Sequence, residues 1–439
     1  MSTGPNWPTS GTSWRLVGLL TIAYVLSYVD RSILGLLIEP IKADIHISDE
    51  KIGLLIGLAF GIFYATIGLP LGWLADRKRR TWIVSAGVAL WSLATAALGL
   101  ANSFAHLFIA RMGVGVGEAA LSPCAMSMIA DSFPPEKRGR PVAFYSSALS
   151  LGAGVAALVG AAVLTWAKTS EGIALPLIGA TRPWQFAFII VGLPGLLVAL
   201  ALFFMPEPPR QQPLPNTAQD GSGFADMLRH VGAHFGAFAG IISLICVVTI
   251  IAYSQGFLPS AFARKFNWEP KDYAWVNGVV ILCVGPVTVN LIGALVDKWR
   301  GAGRHDAPFG LLTISFVAMV FVNALALMMP TPLLAFVFLG LGTIAIAACT
   351  TTGIIALLDI TPAAIRGQIV ALYYMTISLA GLLIGPTSVG SLSSRVFGED
   401  RLYLAVSSVP LLFGIVPILL LPLIRRAYLA QIKTVRAQT

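Results

Sequence analysis

The pair Asp30-Arg31 stands more than halfway along an apolar run from about Leu16 to Ile38. A run of about 20 apolar residues is long enough to cross a bilayer. Each charge at the centre of such a span costs about 2.5–3.5 kcal/mol on insertion scales, so an ionisable residue there points to function and needs a partner. The other apolar runs offer Arg111 and Glu118, which their spacing puts on one face of a helix, two turns apart. Two acids and two bases predict a buried polar cluster. Neighbouring residues on a helix point about 100° apart, so Asp30 and Arg31 do not easily share one partner. One division has Arg31 facing a cavity and Asp30 exchanging a proton under the influence of Arg111 or Glu118. Burial and a nearby guanidinium push the proton affinity of a carboxyl in opposite directions, a conflict that can place it near physiological pH. The residues leave open whether Asp30 or Glu118 titrates. The plainer alternative is a static network locking two helices together, although such networks are costly unless used.

The elements that must hold these four groups are membrane helices. The chain has 439 residues, 56% hydrophobic and 11% charged, against about 25% charged in soluble domains. Its formal charge of +9 comes from basic residues that punctuate the apolar runs, which argues against a nucleic-acid partner. The four cysteines fall inside apolar runs without metal-type spacing, so no metal site is expected. No His, Cys or Ser within the runs has a nucleophile-and-base spacing, which argues against an enzyme. The polar start up to Ser13 and the long first run read as a retained helix rather than a signal peptide.

Runs of spanning length recur at about 16–38, 51–74, 82–101, 106–130, 141–167, 184–206, 236–262, 273–296, 308–329, 333–358, 366–392 and 402–424. They predict an all-α membrane protein of twelve transmembrane helices. When alternate loops are pooled, the set that includes both termini carries twice the Lys and Arg of the other. Positive charge favours the cytoplasm, so both termini are expected there. Pro206, Pro208, Pro209, Pro213 and Pro215 interrupt the pattern at mid-chain. The expected organisation is a six-helix bundle over 1–206, a flexible or polyproline-like cytoplasmic linker over 207–233, and a second bundle with a cytoplasmic tail over 234–439.

The halves echo each other. Asp131, Pro134, Arg138 and Gly139 after the fourth run recur at one constant offset as Asp359, Pro362, Arg366 and Gly367 after the tenth. Gly72-Trp-Leu-Ala-Asp76-Arg77 is likewise echoed by Gly293-Ala-Leu-Val-Asp297-Lys298. Two matches at corresponding loops indicate duplicated units, an arrangement in which a substrate site lies near the midplane between repeats.

The Gly72-to-Arg77 loop, its weaker copy and Arg111-Met-Gly-Val-Gly115-Val-Gly117-Glu118-Ala119 resemble the signature motifs of the major facilitator superfamily. Ser27-Tyr28-Val29-Asp30-Arg31, Trp91-Ser92-Leu93-Ala94-Thr95, Gly115 to Ala119, Asp131-Ser-Phe-Pro134 and Phe144-Tyr145 resemble its spinster-like branch, whose characterised members move sphingolipids or lysophospholipids. The superfamily resemblance covers nearly the whole chain, and that to the branch rests mostly on the first half. Two departures stand out. Arg79 occupies a position where the superfamily pattern has Gly, and no ionisable residue is evident within the second-half spans.

Joined to the charged cluster, the resemblance implies a proton-coupled transporter of an amphipathic lipid working by alternating access, with two pseudo-symmetric six-helix bundles. Asp30 and Glu118 are the expected proton-coupling groups. Arg31 and Arg111, with Tyr64 and Tyr373, form the expected substrate and charge network, and the apolar second half is expected to take the acyl chain. Gly72, Asp76, Arg77, Asp131 and Arg138 are the expected gating residues, while Arg79 and Arg80 read as topological anchors. No cofactor beyond the coupling proton is expected. A monomer in a bacterial inner membrane is the expected setting. The alternatives are a transporter of small organic anions or drugs and, from another class, a non-transporting membrane sensor; sugar transport is disfavoured by the scarcity of midplane Asn, Gln and Trp.

Overall fold

A long apolar segment in a bilayer has no water for its backbone N–H and C=O groups, and a helix satisfies them within the segment. The computed structural model describes residues 7–134, 137–169, 174–175, 179–211, 224–304, 306–362 and 365–437. The first part of the chain forms α1 (Ser10–Leu36), α2 (Ile38–Ile45), α3 (Asp49–Ile56), α4 (Leu58–Arg77), α5 (Arg80–Leu98), α6 (Phe104–Glu118), α7 (Leu121–Ser132), α8 (Gly139–Thr169), α9 (Pro183–Gly192) and α10 (Pro194–Phe203). Then come α11 (Phe224–Ala233), α12 (Phe235–Ser254), α13 (Leu258–Phe266), α14 (Pro270–Gly301), α15 (Ala307–Ala326), α16 (Pro332–Asp359), α17 (Arg366–Leu392) and α18 (Leu402–Ala437). Between α8 and α9, two-residue strands pair antiparallel, β1 (Ala174–Leu175) with β2 (Gly179–Ala180).

Eleven helical stretches among the described residues are long and apolar enough to cross a membrane, and α8 adds the shorter apolar segment Leu151–Trp166. The all-helical membrane architecture expected from the runs is what forms. Several spans are made of two helices meeting at a break. Gly57 parts α3 from α4, and Ala119-Ala120 part α6 from α7. Pro123 contributes to the second break, because it has no N–H for the carbonyl of Ala119 four residues back. Leucines such as Leu197 and Leu419, each 73% exposed, form part of an apolar exterior suited to lipid.

The chain divides into two compact units, Met1–Pro215 with Trp268–Leu282, and Asn216–Asn267 with Cys283–Thr439. In the first, α1 packs on α8, and α5 packs on both α6 and α10. In the second, α12 packs on α17, and α15 on both α16 and α18. Corresponding spans therefore make corresponding pairings, as duplicated units require. The second unit closes around a core that includes Phe238, Phe309, Phe316 and Tyr428.

The segment at 207–233 is only partly a linker. Residues 212–223 lie outside the described residues. Glu207 and Pro208 are fastened to the start of α5, and residues 224–233 form α11, with Met227 buried and Leu228 exposed. Partial burial and then the neighbouring His234 push His230 on this helix below its ordinary value.

Candidate functional site

The four charged groups are brought together inside the first unit, and the glycines of α6 are what permit it. A side chain at Gly115 would stand 2.5 Å from the carbonyl oxygen of Phe60, so α4 approaches α6 backbone to backbone there. A side chain at Gly117 would meet the backbone of Gly87 and Trp91 at 2.6 and 2.7 Å, so α5 does the same on another side. Between these contacts, Arg111 and Glu118 face α1, α3 and α4. Glu118 is the last residue of α6, at the break before α7, where the helix end carries partial negative charge and favours a cation nearby.

Arg31 supplies that cation. Its Nε donates to Glu118 Oε2 at 2.7 Å, and its Nη2 bonds the same oxygen. The guanidinium also lies 4.6 Å from the ring of Phe60, 5.3 Å from Tyr64 and 5.7 Å from Tyr28. The Glu118 side chain is 1% exposed, whereas that of Arg31 is 17% exposed, so Arg31 is the half of the pair that a solute can touch. Arg111 is buried, with its Nε 3.4 Å from the carbonyl of Leu55 and its guanidinium 5.5 Å from the Phe60 ring. One aromatic ring thus lies beside both arginines.

Asp30 points elsewhere, as the 100° step between neighbours requires. It is buried, faces Thr95 of α5, and lies within electrostatic reach of Glu118, Arg111 and Arg31. Asp30 Oδ1, Arg111 Nη1, Glu118 Oε1 and Thr95 Oγ1 have no hydrogen-bond partner among the described residues. Buried polar atoms are nearly always satisfied, so four such atoms gathered in one place single out this cluster as the candidate site. No group of three metal-ligating side chains occurs among the described residues.

Of the other expected site residues, Tyr64 joins the cluster through Arg31 and stacks on Phe60 at 5.3 Å. Tyr373 is 2% exposed and packed in the core of the second unit, with Tyr374 edge-on at 5.1 Å. Gly72 has nothing within 4 Å of where a side chain would begin. Arg77 is exposed and folds onto its own helix, 4.0 Å from the Trp73 ring. The Asp76 side chain lies outside what is described. Arg138 Nε donates to the carbonyl of Phe133 at 2.9 Å.

Arg80 corrects its reading as a topological anchor. It is fully buried, ion-paired with Asp131 and, at 2.7 Å, with Glu207, and it also donates to Ser127 Oγ and the Pro208 carbonyl. Glu207 in turn accepts from the backbone N–H of Thr81 at 3.0 Å, closing the otherwise uncapped start of α5. The sequence offered one partial signal for this: Asp131 and Glu207 are acids that each follow directly on an apolar run, in loops expected on the same side of the membrane as the basic cluster. The second unit repeats the device. Arg300 Nη2 donates to Asp359 Oδ1 at 2.7 Å, and the Tyr428 hydroxyl donates to Oδ2 of the same carboxylate at 3.2 Å. Asp131 and Asp359 are the residues related by the internal repeat.

Known proteins share this architecture. A bacterial homologue of the human lysosomal transporter spinster, known from a crystal structure, superposes with a TM-score of 0.84 at 25% identity, over 97% of this chain and 99% of its own. An MFS-type efflux pump of Mycolicibacterium smegmatis is 26% identical over 332 residues, 75% of this chain and 72% of the pump. A "Probable L-galactonate transporter" of Escherichia coli is 31% identical over 187 residues, which are 43% of this chain and only 38% of that protein's length. Residues 20–342 match the model of the Major Facilitator Superfamily, and with the helical repeat and the buried charges already described, the chain belongs to that superfamily of membrane transporters.

Proposed function

We propose that this transporter moves an amphipathic lipid, of sphingolipid or lysophospholipid type, by proton-coupled alternating access. The observation that carries the reading is the buried quartet of Asp30, Arg31, Arg111 and Glu118 with its unpartnered polar atoms. The likeness to a spinster homologue over nearly the whole chain supports a lipid cargo, through the resemblance of the sequence to that branch.

The pairing of Arg31 with Glu118 supplies a coupling step. An anionic or zwitterionic headgroup reaching Arg31 competes with Glu118 for the same N–H groups, and charge-assisted bonds of this kind are strong enough for the exchange to matter. Once Arg31 turns to the headgroup, Glu118 is a buried carboxylate without its cation and takes a proton. Proton and cargo then favour each other's binding, as linkage requires. Asp30 is the second carboxyl able to exchange a proton, with Arg111 as its nearby cation. A proton entering down about 100 mV supplies about 2.3 kcal/mol, and each pH unit adds about 1.4 kcal/mol. Together they bias one step by more than about a hundredfold.

A second reading, transport of a small organic anion, has its own support. Arg111 keeps an unpartnered Nη1 that suits a carboxylate, and one relative is named for L-galactonate. Uptake into proteoliposomes separates the two. The lipid reading expects saturable, pH-gradient-stimulated uptake of a labelled lysophospholipid that excess galactonate does not inhibit. Galactonate uptake without lysolipid flux would select the second reading. We also place both termini in the cytoplasm of a bacterial cell, from the Lys and Arg bias of the loops, and take the monomer as the working unit.

A further inference from the structure

The first unit has a second concave feature, lined by none of the four residues of the quartet. Where α4, α5 and α6 meet, a groove of about 510 Å3 runs between apolar walls that include Leu74 and Leu90. That volume is within the range of ligand pockets, about 300–1,000 Å3. The groove exists because small residues floor it. Gly87 and Gly117 lie in backbone contact, a side chain on the first being 2.7 Å from the carbonyl oxygen of the second, and beside them Ala86 and Ala120 leave the space unfilled.

The mouth is basic and aromatic. Lys78 and Arg79 line it, both exposed, and among the described residues neither pairs with an acid. The Arg79 guanidinium lies 4.4 Å from the ring of Trp82, which stacks on Phe203 at 5.5 Å. Tryptophan and snorkelling arginine at a span's end mark the level of lipid headgroups. Basic residues at that level attract anionic lipid, and an apolar furrow running from them offers a place for a tail.

We propose that this groove holds an acyl chain of an anionic membrane phospholipid, with the lipid phosphate between Lys78 and Arg79. Charge complementarity selects the occupant: two cations that pair with no acid among the described residues favour a headgroup with net negative charge over a zwitterionic one. The site is independent of the transported cargo and does not rest on the function proposed above. The lipid sits beside the turn that leads into Arg80, so it ties the charge of the bilayer to the buried pairs that Arg80 makes with Asp131 and Glu207.

The test is lipid retention by the full-length purified protein, read by native mass spectrometry after exchange into detergent with equimolar phosphatidylglycerol and phosphatidylcholine. Phosphatidylglycerol is expected to be retained over phosphatidylcholine by about tenfold or more, and the Lys78→Ala/Arg79→Ala double variant to fall to within about twofold. Ala86→Trp, which fills the groove without touching the charges, is expected to lower retention of both lipids. Should the double variant aggregate, Lys78→Glu alone gives the same reading through a fall in phosphatidylglycerol retention of about fivefold. An undiminished preference in the charge variants, or unchanged retention in Ala86→Trp, overturns the proposal.

Discussion

Arg80 is one of four consecutive basic residues, yet it is buried and does a different job from its neighbours. Removing one partner of a buried ion pair leaves an uncompensated charge, so Arg80→Ala is expected to destabilise the protein by about 3–5 kcal/mol. Arg79→Ala, at an exposed side chain, is expected to stay within about 0.5 kcal/mol. Thermal unfolding of the two variants in the same detergent checks both. Nothing in the run Arg77 to Arg80 distinguishes these residues, because which of them turns beneath α5 depends on where Asp131 and Glu207 arrive from distant parts of the chain. The quartet was legible for the opposite reason. Charges inside apolar runs are few and expensive, so Asp30, Arg31, Arg111 and Glu118 had only one another to meet. Their pairing was not legible: spacing gives the face of a helix but not its rotation against a neighbour, and only the fold shows that Arg31 rather than Asp30 turns to Glu118.

Helix contacts in the first unit are set by where side chains are missing. Gly117 brings α6 against α5, and a methyl group there would stand 2.6 Å from backbone, with nothing flexible to move aside. Gly117→Ala is therefore expected to cost about 1–3 kcal/mol through overpacking. Gly72 meets nothing within 4 Å, and Gly72→Ala in the helix α4 is expected to gain up to about 1 kcal/mol in helix propensity. Opposite shifts of the unfolding midpoint in these two variants would show that steric contact, rather than glycine flexibility, governs Gly117. A loss of transport in a stable Gly72→Ala protein would favour a gating role for that residue. Helix positions were easy to read, since apolar runs bounded by Gly, Pro and charge define them. Breaks within spans, such as Ala119-Ala120 beside Glu118, and the helix α11 inside an expected linker were not, because each depends on local backbone partners or on an amphipathic pattern ten residues long.

Across the molecule, the repeated Asp-Pro-Arg-Gly segments revealed duplication, and the matching helix pairings of the two units express it. The duplication is not chemical. Among the described residues the first unit carries the mid-span charges, while Tyr373 of the second, expected near the substrate, is core. The proposed proton coupling is therefore assigned to α1 and α6, which carry these charges. The most direct measurement compares two modes of the same proteoliposomes: accumulation of labelled substrate driven by a pH gradient, and exchange of labelled for unlabelled substrate with no gradient. For Asp30→Asn and Glu118→Gln the account predicts that at least one variant loses gradient-driven accumulation by about tenfold or more, the scale of one coupled proton at a one-unit gradient, while its exchange persists. Undiminished, equally pH-dependent accumulation in both variants would contradict it.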